Sequence, residues 1–171
     1  MRTLKLALLF SLLIPITTWG FGFNVTLNAS QLEQLMQLTF PYDVVVNKTP
    51  LKLENPRAKL NPENQSILLT LDATSQNTPH PIQAEALLTG KLIYDTRKDQ
   101  LRVENPHLIS FKKIKGNATA FTQLSKDIKP QLEKMMPGAL FLDYQQLGFP
   151  KGMIDQVLIT QAGVNISMSL K

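Results

Sequence analysis

The chain has 171 residues, 18 Lys and Arg against 13 Asp and Glu, a formal net charge of +5 and no cysteine. That length suits one domain with a real core, and the missing cysteine excludes disulfides, thiolate metal sites, cysteine nucleophiles and a lipid anchor on an N-terminal cysteine. The lysines are scattered apart from "FKKIK" at 111–115. A nucleic-acid face needs a denser basic surface with aromatics interleaved; this pattern reads as a solvated basic face or one that tolerates anionic head groups.

Arg2 and Lys5 precede an apolar run from Leu6 to Ile16, and small residues follow at Thr18, Gly20 and Gly22. This predicts a secretory signal over residues 1–20, cleaved near 20–22. Pro15 breaks the run, which falls short of the ~20 residues a spanning helix requires. Losing Arg2 and Lys5 takes the charge from +5 to +3. The expectation is a single domain over 23–171, exported and soluble in the periplasm, with no transmembrane segment.

"FNVTLNAS" predicts a short strand running into a helix start, with Ser30 and Glu33 as a capping box. Leu32, Leu35 and Met36 line one face of that helix, and Pro41 ends it. From Tyr42 to Phe111 the period changes to two, and five segments read as strands of an antiparallel meander. Ile67, Leu69, Leu71 and Ala73 form one inward row; Ala84, Ala86, Leu88, Gly90, Leu92 and Tyr94 form another. "NPENQ" (61–65) and "DTRKDQ" (95–100) are turns, and "SQNTPHPIQ" (75–83) is a longer link.

Glu-Asn-Pro occurs twice within these strands, at 54–56 and 104–106. Proline lacks an amide donor and sits at edges or bulges, and the residue before it is biased toward extended backbone. Each copy therefore predicts a bend, and the dissimilar flanks argue against a tandem duplication. After the meander, Asn117 is a helix N-cap, and Phe121, Leu124, Ile128, Leu132 and Met135 share a face at helical spacing. Pro130 is expected to kink or split that helix, while Met136, Leu140, Phe141 and Leu142 extend its apolar character. "VLIT", a tight "QAG" turn and the alternating Val164, Ile166, Met168 and Leu170 close the chain as strands.

The sequence order resembles a known family. A leader precedes "LNASQLEQLMQLTFP", followed by "LKLENPRAKLNPENQSILLTLDATS", "GKLIYDTRKDQLRVENP", a long helix and "VLITQAGVNISMSL". This resembles the YceB-like family of small exported proteins of Gram-negative bacteria, many of them lipoproteins, over residues 25–171. The family is related to the tubular lipid-binding (TULIP) superfamily. The resemblance implies an α+β fold in which a strongly curved antiparallel meander wraps a long helix from the C-terminal half, with a short N-terminal helix besides. It also implies an acyl chain held between helix and sheet. The lipobox cysteine of many family members is absent here, so the resemblance does not extend to membrane tethering.

Catalytic chemistry finds little support. His80 lies between prolines and His107 follows the second Glu-Asn-Pro, with no metal-ligand spacing between them. Nucleophile elbows, phosphate loops and dinucleotide fingerprints do not occur. Asn-X-Ser/Thr occurs at Asn24, Asn28, Asn47, Asn64, Asn117 and Asn165; in a eukaryotic secreted protein these would accept glycans, and in a bacterial one they are structural. No enzyme activity, cofactor or metal is expected.

The candidate site is apolar. Phe121, Leu124, Ile128, Leu132, Met135 and Met136 come from the helix, and Leu69, Leu71, Leu88, Leu92, Tyr94, Ile166 and Met168 from facing strands. Adjacent methionines suit a variable acyl chain. The expected function is lipid or amphiphile binding in the cell envelope. The alternative is an envelope protein-interaction module in which the same residues form a closed core.

Overall fold

The computed structural model describes residues 22–75, 81–98, 100–139, 142–143 and 151–169, and side chains for these apart from 135–139 and 142–143. The leader, His80 and the Met135 and Met136 side chains fall outside the described residues. In chain order the elements are β1 (Gly22–Leu27), α1 (Ala29–Met36), β2 (Tyr42–Val46), β3 (Thr49–Asn61), β4 (Ser66–Ser75) and β5 (Ile82–Asp95). Then follow β6 (Gln100–Gly116), α2 (Ala118–Ala139), β7 (Leu142–Asp143), β8 (Ile154–Thr160) and β9 (Gly163–Ser169).

Alternation from Tyr42 onward builds the expected antiparallel meander, a six-stranded sheet in the order β2-β3-β4-β5-β6-β7. It curls strongly into a half-barrel, so the protein is α+β and mostly strand. Both predicted inward rows are buried, from Ile67 to Ala73 on β4 and from Ala84 to Leu92 on β5; Tyr94 is half-buried. The β2–β3 turn uses Asn47 and Lys48, both at positive φ (47° and 66°), the twist of a two-residue type I′ hairpin.

β8 and β9 do not join the meander. They pair with β1 in a separate sheet of order β1-β9-β8. The "QAG" turn connects them as predicted, with Thr160 opposite Gly163. Gly163 has φ +143°, and a Cβ there would drive into the Leu27 carbonyl at the end of β1. Gln65 ties the two sheets together. Its Nε2 donates to the Ile159 carbonyl at 2.9 Å, and its Oε1 accepts from the Ile159 amide at 2.8 Å. One side-chain amide thus pairs with a β8 peptide as a neighbouring strand would.

The two Glu-Asn-Pro segments are bulges of one kind. On β3, Glu54 pairs with Asp72 and Arg57 with Thr70; on β6, Glu104 pairs with Lys91 and His107 with Thr89. Three steps on one strand match two on its partner, which is a one-residue bulge. The asparagines are not extended, however: Asn55 has φ 54° and Asn105 φ 48°. A bulge of this type needs one left-handed residue, and asparagine tolerates that conformation better than most side chains. Asn55 is also held by its amide, which donates to Asp72 at 2.9 Å. On the same outer face Arg57 bonds Asp72 and Glu85, at 2.9 and 3.1 Å, across three strands.

Both helices differ in detail from expectation. α1 is capped by Asn28, not Ser30: the Asn28 Oδ1 accepts from the Gln31 amide at 2.9 Å, and the Gln31 Oε1 accepts from the Asn28 amide at 3.0 Å. Capping two residues earlier frees Glu33 for a tertiary partner. α2 is capped by Asn117 as predicted, whose Oδ1 accepts from the Ala120 amide at 3.0 Å. It then runs unbroken for 22 residues through Pro130. Pro130 is exposed, so the carbonyl that loses its partner can bond water, and the buried stripe at Leu124, Ile128 and Leu132 carries the helix past it. Phe40–Pro41 is a cis peptide after the end of α1.

Candidate functional site

The predicted apolar residues do gather. Leu124, Ile128 and Leu132 are 5%, 0% and 0% exposed and share one contiguous core with Leu69, Leu71, Leu88, Leu92, Ile166 and Met168. Phe121 and Tyr94 are partly buried against that core. Alternation on the strands and helical spacing on α2 thus point inward the members of the set whose side chains are described. Ile166 and Met168, though, reach the core from the three-stranded sheet rather than from the meander.

The helix's immediate neighbours were not foreseen. α2 packs along β6 and also touches β2, the first strand of the curled sheet and one near its other end. The inward residues of those strands, Val44 and Val46 on β2 and Leu101, Val103 and Leu108 on β6, are all buried in the same core. Phe111 of β6 stacks on Phe121 in the first turns of α2, with centroids 5.4 Å apart and planes 7° from parallel.

Two glutamates fasten the helices to the bulges. Glu33 of α1 accepts from the Ala58 amide at 2.6 Å, and Glu133 of α2 accepts from the Leu108 amide at 2.9 Å. Each amide lies three residues after the bulge asparagine, and each carboxylate is 25 residues from its amide in sequence. A bulge disrupts the local ladder, so a carboxylate that satisfies an amide there joins helix position to sheet curvature. Glu133 also sits 3.0 Å from Nδ1 of His107. The equal spacing was present in the sequence, but nothing marked these glutamates apart from other polar residues on helix surfaces.

Among the described residues this interior offers apolar burial, and Ser75, at the end of β4, is its one buried polar side chain. Among the described residues no three His, Asp or Glu side chains gather as metal ligands, and no helix is long and apolar enough to cross a membrane. Two open depressions, of about 220 and about 500 Å³, flank the junction of the sheets around 58–64 and 160–163. Their linings share no residue with the candidate apolar set. Several Asn-X-Ser/Thr asparagines have structural roles: Asn28 and Asn117 cap helices, Asn47 makes a turn, and Asn165 donates to Thr26 at 3.1 Å. No protein-family model matches the chain, and no curated protein does.

Proposed function

We propose that this is a non-catalytic protein of the bacterial cell envelope, exported to the periplasm, that binds a lipid or other amphiphile between α2 and the curled sheet. The observation that carries this reading is the placement of α2, whose apolar stripe bears on a half-barrel while the helix meets both β6 and β2. A helix so placed can lie along a sheet that wraps it, and an acyl chain would replace part of the helix–sheet packing. Removing each CH₂ from water is worth about 0.8 kcal/mol. A twelve-carbon tail thus brings roughly 9 kcal/mol of gross driving force, reduced by association and ordering costs. The likeness to YceB-like proteins points the same way.

The full burial of Ile128 and Leu132 favours a second reading, a closed core serving an envelope protein-interaction module. Mass spectrometry under gentle conditions separates the two, using protein purified without detergent and then extracted with solvent. A lipid of defined mass, near one per chain, is expected for a carrier. Protein that is folded, lipid-free and unable to take up lipid from a mixed extract would overturn the carrier reading. Leu132→Trp adds a check: in a carrier it lowers lipid occupancy and the fold survives, whereas in a closed core it unfolds the protein.

A further inference from the structure

The end of β6 is unlike the rest of the meander. Its pairing with β5 is interrupted at three places, between Gln83 and Ala84, between Leu87 and Leu88, and between Thr89 and Lys91. The third is the Glu-Asn-Pro bulge. At the other two, Lys115 and Lys113 pair with consecutive β5 residues, as do Ser110 and Leu108, so Ile114 and Ile109 are the extra, unpaired residues. Both are exposed, Ile114 by 63% and Ile109 by 51%. All residues from Lys112 to Gly116 are exposed whichever face they occupy, which makes this strand end a lip open to solvent on both faces.

The lip is positively charged and largely uncompensated. Lys113 lies opposite Ala84 and Lys115 opposite Gln83. Lys112 lies opposite Glu85, but that carboxylate is bonded to Arg57 at 3.1 Å. Among the described residues none of the three lysines forms an ion pair.

We infer that this lip, built from Lys112, Lys113, Ile114 and Lys115 with Ile109 on its flank, docks the protein onto an anionic lipid surface. Lysines flanking an exposed apolar side chain at a strand end match a membrane interface, where the charges meet head groups and the isoleucine enters the acyl boundary. A peptide strand added to this edge is a poorer fit, because bulges at 109 and 114 break the regular spacing of backbone donors and acceptors. Nucleic acid is a poorer fit too, since the exposed part of the lip offers no arginine or aromatic platform. The inference does not depend on whether the interior holds a ligand.

Vesicle co-sedimentation tests it, with phosphatidylcholine alone and with phosphatidylcholine containing phosphatidylglycerol. Binding is expected only to the anionic vesicles and should weaken with added salt. The combined change Lys112→Glu, Lys113→Glu and Lys115→Glu should lower partitioning on the order of 100-fold, and Ile114→Ser by several-fold, with melting temperatures unchanged. As a control, Arg97→Glu with Lys98→Glu reverses charge at the turn end of the same hairpin and should have little effect. Absence of binding to anionic vesicles, equal binding to neutral ones, or an equal loss in the turn-end control would overturn the inference.

Discussion

Glu33 and Glu133 occupy helix positions where an exposed glutamate would be ordinary, yet each accepts a backbone amide just beyond a bulge. An amide left without a partner in a partly buried setting costs about 1–3 kcal/mol. Glu33→Ala and Glu133→Ala should each lower unfolding free energy by that order, while the glutamine variants, which keep an acceptor, should lose less. Urea denaturation of the four variants measures this; equal losses for alanine and glutamine would show that charge, not amide capping, matters. Gly90 belongs to the same design. It faces the second bulge, where a Cβ would run into the Val103 side chain and lie 3.0 Å from the Glu104 carbonyl oxygen. Gly90→Ala should therefore destabilise by about 1–3 kcal/mol through overpacking, an effect visible as a lower urea midpoint.

At the level of elements, α2 sets a strong tertiary preference against a weak local one. Pro130 removes a hydrogen bond inside the helix, yet the stripe through Leu124, Ile128 and Leu132 holds the helix continuous. Pro130→Ala should stabilise the protein by up to ~3 kcal/mol, and Ile128→Ala should destabilise it by about 2–5 kcal/mol; thermal melts of the pair would check both signs. The same contest explains what could be read from the chain beforehand. The meander and its inward rows were legible because period-two alternation is local. The choice between Asn28 and Ser30 as the cap was not, since Asn28 with Gln31 and Ser30 with Glu33 are both sound capping pairs, and the Ala58 amide that claims Glu33 is distant in sequence. Nor was the left-handed asparagine legible, because the bulge that requires it depends on which residues of the next strand it faces. The apolar set of the candidate site was recognisable as inward-facing, but its division between two sheets depends on β1 finding β9 near the other end of the chain.

For the whole molecule, the decisive joint is where the three-stranded sheet meets the half-barrel. Gln65 stands in the β3–β4 turn with φ 50°. It pairs both polar groups of its side chain with the Ile159 peptide, while its own carbonyl accepts from the Leu92 amide at 3.2 Å. One turn residue therefore bonds a strand of each sheet, β5 and β8. Gln65→Ala would strip a donor and an acceptor from the part-buried Ile159 peptide, a loss of about 1–3 kcal/mol. Gln65→Glu would keep the acceptor but set a carboxylate oxygen against the Ile159 carbonyl, and should be no better. Because the three-stranded sheet supplies Ile166 and Met168 to the common core, the damage should not remain local. Hydrogen exchange in Gln65→Ala is expected to accelerate across β8 and β9 before β4 and β5, since opening of the joint exposes the smaller sheet first. If β4 and β5 instead lost protection together with β8 and β9, the two sheets would open as one cooperative unit and the joint would be no weaker than the core it connects.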